Sequence, residues 1–143
     1  MAVVAVVVVA AMLVDTTVWI DLLRGRDTPA VIRLRALLAN GEAQIAPVIV
    51  QELLQGASDE RSLDTLTRRF TVLPMLEPRA GGATHADAGR LYARCRWAGL
   101  TIRSPHYCLI ARTAIEQDVA LLHDDRDFEF IAQVDTRLTQ SRA

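Results

Sequence analysis

Lysine is absent from the 143-residue sequence; all sixteen basic residues are arginine, set against seventeen Asp and Glu for a formal charge of −1 at pH 7. That balance excludes the strongly basic profile of a protein that holds nucleic acid by bulk electrostatics, although several arginines between Arg90 and Arg112 leave a local patch open. Arginine suits bidentate phosphate contacts; an all-arginine choice can equally reflect the base composition of a genome. Cysteine is nearly as scarce. Cys95 and Cys108 form no CxxC, which excludes the usual zinc spacings, and they read as small apolar residues of a reduced, cytoplasmic protein. No P-loop and no GxGxxG is present for a nucleotide. No apolar run reaches the roughly 20 residues of a membrane span, and the opening "MAVVAVVVVAAMLV" stops at Asp15 without the basic flank of a secretory signal, so no membrane partner is expected. Met12 offers a second beginning. Residues 1–11 therefore read as an apolar extension of uncertain origin, ahead of a single domain over 12–143.

What is present alternates between apolar strands and helices. Leu13 and Val14 end a strand at Asp15, and Val18, Trp19, Leu22 and Leu23 share a helical face. Thr28-Pro29 supplies an N-cap and first-turn proline for a helix to about Asn40, ended by Gly41. A short strand at 44–46 runs into a helix between Pro47 and Gly56; a further helix follows with Ser58 as capping candidate, and "TVLPM" reads as a strand. Gly81-Gly82 leads into a helix closed by Gly99. Ser104 and Pro105 open another, "VALLH" is a strand, and a last helix follows Asp125. The order β-α-α-β-α-α-β-α-α-β-α predicts an α/β fold with a parallel sheet covered on both faces.

In such a sheet, ligands bind outside the carboxyl ends of the strands. Asp15 follows the first strand, Glu52 sits one turn into the helix after the second, and Asp125 follows the last, within "LLHDDRDFEFIA". Each has a plainer explanation as a cap, a solvated helical acid or a turn residue. Their arrival at one edge favours a site. Clustered carboxylates need a counter-charge, and Mg²⁺ or Mn²⁺ takes oxygen ligands and activates water for attack on a phosphoryl group. Asp15, Glu52 and Asp125 are thus expected near enough to share one cation, with phosphodiester hydrolysis as the reaction class.

The motifs "MLVDTTVWIDLL", "VIVQELLQGA", "IRSPHYCLIARTAI" and "LLHDDRDFEFIA", in that order from Met12 to about Ala132, resemble those of PIN-domain ribonucleases, in particular the VapC toxins of bacterial toxin–antitoxin pairs. The resemblance implies a three-layer α/β/α sandwich around a central parallel sheet. It also implies a metal-dependent endoribonuclease, inhibited by a VapB-type antitoxin seated in the active-site groove, and commonly a homodimer. Carried over residue by residue, Asp15, Glu52 and Asp125 are the metal and catalytic acids, and Asp127 supports them. Thr16 is the hydroxyl beside the first acid, and Arg103 and Arg112 are candidates to meet the RNA backbone. The helix of Ser58 to Phe70, through Leu63 and Leu66, is a candidate dimer or antitoxin surface.

One departure stands out: the family places a further acid where this chain has Tyr107, a poor Mg²⁺ ligand because a phenol loses its proton only near pH 10. A catalytically weakened PIN-like module that binds RNA or antitoxin is therefore the alternative. A response-regulator receiver would want a late lysine, and a dehalogenase-like phosphatase a DxD after the first strand; the sequence has neither.

Overall fold

A computed structural model describes residues 10–143. The apolar extension expected over 1–11 lies, for residues 1–9, outside the described residues. Strand β1 (Met12–Val14) is buried throughout, which is why it shows no polar alternation. It ends where the Asp15 carboxylate accepts the Thr17 amide and caps α1 (Thr16–Leu23). Asp15 is thus at once strand end and cap. Thr28 and Pro29 open α2 (Pro29–Ala39) as expected, and Gly41, at φ 70°, takes the left-handed conformation that turns the chain into β2 (Ala43–Gln44).

Pro47 opens α3 (Pro47–Gln55). The next helix, α4 (Glu60–Phe70), is capped by Asp59 rather than Ser58: its carboxylate accepts the Ser62 amide at 2.7 Å. Then come α5 (Gly82–Trp97), α6 (Pro105–Glu116) with Ser104 as its cap, β3 (Ala120–Leu122), α7 (Arg126–Val134) and β4 (Gln140–Ser141).

Among the described residues, four strands form one parallel sheet in the order β2-β1-β3-β4, flanked by helices in the expected α/β sandwich. Two expectations change. "TVLPM" is not a strand of this sheet: it makes one isolated bridge, Ile45 to Met75, held by Ile45 N donating to Pro74 O and Leu76 N to Ile45 O. Pro74 has no N–H with which to extend a ladder. Conversely, β4 pairs with β3 through two polar residues that carry no apolar signature.

The core joins both helical layers to the sheet. Trp19 packs edge-on to Phe70 with centroids 5.3 Å apart, and its Nε1 donates to Val14 O at 3.0 Å, fixing α1 on the end of β1. Leu34, Ile49, Ile110, Leu121, Phe128 and Ile131 are fully buried members of the same core. Among the described residues, no helix is long and apolar enough to cross a membrane.

Candidate active site

Parallel strands put Asp15 and Asp125 at the same edge, where the Asp15 amide donates to Leu122 O, at the end of the strand that precedes Asp125, at 2.9 Å. Asp15 is wholly buried. Its Oδ2 accepts the Thr17 amide at 3.2 Å and the Thr17 hydroxyl at 2.7 Å, while Oδ1 is buried without a hydrogen-bond partner. Burial is the main cause that raises its pKa to about 6; the Thr17 bonds pull the other way, and the charge of Glu52 adds to the rise. Glu52 lies beside it on α3, where Oε1 accepts the Thr16 hydroxyl at 3.0 Å and Oε2 lies 3.9 Å from His106 Nδ1.

The other half of the site is held by arginine. Asp125 caps α7, its Oδ1 accepting the Asp127 amide at 3.0 Å. Its Oδ2 is bound by Arg103 Nη2 and accepts the Tyr107 hydroxyl at 3.1 Å. Asp127, almost fully buried, accepts both the Arg103 amide at 3.0 Å and Arg103 Nε at 3.1 Å on Oδ2. Charge-assisted bonds to both carboxylates hold the guanidinium firmly protonated. Burial, then the charge of Asp125, pushes the Tyr107 phenol well above its usual range, so it stays a neutral donor.

Beneath this pair sits an imidazole absent from the sequence-derived site. Buried His123 accepts the Asp125 amide on Nδ1 at 3.1 Å, which leaves Nε2–H to donate to Gln140 Oε1 at 2.5 Å. Burial lowers its pKa, favouring the neutral form this tautomer requires. Its position two residues before Asp125 is legible in the sequence; its partner is not, because β4 carries no apolar signature.

The acids thus form two adjoining groups. Asp15 and Glu52 have one free buried oxygen between them, whereas Asp125 and Asp127 share the single guanidinium of Arg103. Among the described residues, no three His, Cys, Asp or Glu side chains stand close enough to hold one ion. The expectation that Asp15, Glu52 and Asp125 stand near enough to share one cation is not met in this arrangement, in which Arg103 and Tyr107 hold Asp125 Oδ2.

The model of the PIN domain family matches residues 12–134. The chain belongs to the PIN domain family. It is 37% identical over 124 residues to Ribonuclease VapC11 of Mycobacterium tuberculosis, covering 85% of this chain and 92% of that protein, and equally to a VapC ribonuclease of Mycobacterium bovis. Its fold is similar to that in VapBC2 from Rickettsia felis bound to a promoter DNA fragment, with a TM-score of 0.69 at 16% identity over 92% of this chain and 97% of that one. It is also similar to DNA-bound VapBC from Salmonella typhimurium, with a TM-score of 0.68 at 20% identity over 93% and 98%.

Of the sequence-derived residues, this PIN domain brings Thr16 to Glu52 and Arg103 to Asp125 and Asp127. Arg112 does not join them. It lies between Asp87 on α5 and Asp135 beyond α7, 3.4 Å from each. Five residues past Tyr107 on α6, it is turned about 140° from that residue, since each helical residue advances about 100°. Tyr107, a poor ligand by its chemistry, nevertheless touches Asp125 where a PIN ligand is expected.

Proposed function

We propose that this PIN-domain chain is the ribonuclease toxin of a toxin–antitoxin pair, hydrolysing RNA phosphodiesters in the cytoplasm with Mg²⁺ or Mn²⁺. The observation that carries this reading is Asp15: a buried strand-end carboxylate with an unpartnered oxygen, beside a second carboxylate at the edge where parallel sheets bind ligands. An all-oxygen donor set suits a hard divalent ion. Asp15 and Glu52 would hold it, with Asp125 joining once Arg103 transfers to a phosphate. Such an ion supplies charge for the phosphoryl oxygen and lowers the pKa of its water. Thr16 fixes Glu52, His123 fixes the turn that delivers Asp125, and Arg103 exchanges a carboxylate for the RNA backbone. Unpaired RNA fits because its backbone reaches a shallow site that a duplex does not.

The antitoxin seat we assign is the groove that runs from Glu52 between α1, α3 and α4, lined by Ile20, Leu23, Leu53 and Leu66, with a volume of about 190 Å³. A neighbouring cavity of about 410 Å³ shares Leu23, Gly56 and Leu66 with it and reaches Ser58 and Arg61. Leu63 and Leu66 are half-buried, and Leu66 belongs to this groove, which favours an antitoxin over a dimer contact for that face. Sedimentation at micromolar concentration should show a dimer; monomer alone would remove the homodimer from the proposal.

A second reading is favoured by one observation: Arg103 and Tyr107 together hold Asp125. A PIN domain so closed would bind RNA or antitoxin and cut slowly. The discriminating experiment is cleavage of a single-stranded RNA with and without chelator. The ribonuclease reading expects turnover with Mg²⁺ or Mn²⁺ and none in EDTA. Turnover that persists in EDTA would refute the metal dependence, and binding without turnover at any metal concentration would select the weakened module.

A further inference from the structure

On α5, Arg90, Arg94 and Trp97 fall within about 60° of one another, since each residue advances about 100° around a helix. Arg90 and Arg94 line a cavity of about 150 Å³ between α5, α6 and the end of α7, completed by Arg112, Arg137, Asp87 and Asp135. Four guanidinium groups face two carboxylates there, an excess of two positive charges on a chain whose formal charge is −1.

The pairing within the cleft is uneven. Arg90 binds Asp87 at 2.9 Å and Arg137 binds Asp135 at 2.7 Å, but Arg112 reaches the same two carboxylates only at 3.4 Å, long for charge-assisted bonds. Arg112 Nε has no partner, and Arg94 forms no ion pair among the described residues. Trp97, at the end of the same stripe, is 75% exposed, whereas Trp19 is 2% exposed. A tryptophan bared to water beside unsaturated guanidinium groups has a plain chemical counterpart. Unpaired nucleic acid presents a phosphate for arginine and a flat base for an aromatic ring. An acidic polypeptide would use the charge and leave the ring bare.

Position supports the same ligand. Helix α6 runs from Tyr107 at the acid centre to Arg112 in the cleft, and α7 from Asp127 to Asp135 beside it. At about 1.5 Å per residue the separations along the helix axes are about 8 and 12 Å, and since Arg112 is turned about 140° round α6 from Tyr107, a strand leaving the acid centre would pass round that helix to reach the cleft. We propose that this cleft is a second RNA-binding site: its arginines seat a backbone phosphate, Trp97 stacks the neighbouring unpaired base, and the site holds single-stranded RNA leading away from the acid centre. The choice of polymer rests on the ribonuclease reading above.

The test is a fluorescence titration with a ten-nucleotide single-stranded RNA, in EDTA and in an Asp15→Asn background so that nothing is cut. Trp97 emission should quench on binding. Trp97→Ala, read by anisotropy of labelled RNA, and Arg94→Glu should each weaken affinity about tenfold, and Trp97→Phe should retain most of it. The log–log salt dependence should flatten by roughly 0.7 for each phosphate that an arginine no longer neutralises. With Asp15 restored and metal present, both variants should raise KM on long RNA and leave cleavage of a trinucleotide unchanged. The proposal is overturned if Trp97→Ala and Arg94→Glu, with melting curves matching the parent, bind RNA as tightly as it does. It is also overturned if polyglutamate or inorganic phosphate quenches Trp97 as strongly as RNA. Cleavage that survives such a result leaves the ribonuclease reading intact; binding that needs Trp97 in a chain unable to cleave RNA with any divalent metal would sink that reading alone.

Discussion

Asp15→Asn is expected to abolish RNA cleavage and, in EDTA at pH 7.5, to make the protein more stable. The two effects have one cause. Burial raises the Asp15 carboxyl from 3.8 to about 6, so between those values the folded chain keeps a proton that the unfolded chain releases. Stability from this group is full below pH 3.8, falls as pH rises through about 6, and stays reduced above that. A two-unit rise corresponds to roughly 3 kcal/mol of destabilisation at neutral pH. The neutral amide, like the protonated carboxyl, brings a donor to this buried position, so the two match at low pH and the gain at neutral pH is at most about 3 kcal/mol. Thermal melts from pH 4 to 8 should therefore show the Asn variant ahead at pH 7.5 and level with the parent near pH 4. Equal stability at all pH values would mean that Asp15 is not ionised against its surroundings. Undiminished cleavage would remove it from the reaction.

Tyr107→Asp is expected to raise Mg²⁺ and Mn²⁺ affinity by about tenfold and to speed single-turnover cleavage of the same RNA. The Tyr107 hydroxyl donates to Asp125 Oδ2, helping Arg103 to hold that oxygen away from an ion. Residue 107 is the third residue of α6, where an acid faces the positive end of the helix dipole. An aspartate would withdraw the donor and add a carboxylate to the centre. Without metal it should be less stable than the parent, because Asp125 and Asp15 then face a third negative charge. Millimolar Mg²⁺ should raise its melting temperature more than that of the parent. Metal titration and melting together separate the alternatives. If neither changes, the position takes no part in ion binding; if affinity rises and cleavage does not, the slow step lies with Arg103 or the RNA.

Much of this site can be read from the sequence because its acids mark boundaries. Asp15 directly follows β1 and Asp125 lies three residues past β3; each caps the next helix, and strand ends in a parallel order fix their common edge. Tyr107 is legible for the same reason, since Ser104 and Pro105 set the start of α6. What stays hidden depends on contacts distant in sequence. The ion pairs of Arg103 lie 22 and 24 residues away, and sequence shows an arginine near the site but not whether it faces RNA or carboxylate. Nearness in sequence sets Arg112 beside the acids, although helical rotation carries it elsewhere. The Gln140–Ser141 strand has no apolar residue to reveal it, and Pro74 removes the donor that "TVLPM" needs to continue.

The pairing of β1 with β3 joins segments made at very different moments on the ribosome. Asp15 and its helix cap can form early in synthesis, but Arg103, Tyr107 and Asp125 emerge much later, and they meet Asp15 only when Met12–Val14 aligns with Ala120–Leu122. Until that alignment forms, Asp15 and its helix stand without Arg103, Tyr107 and Asp125, so the two groups of acids are brought together by one strand pairing across more than a hundred residues rather than by local folding.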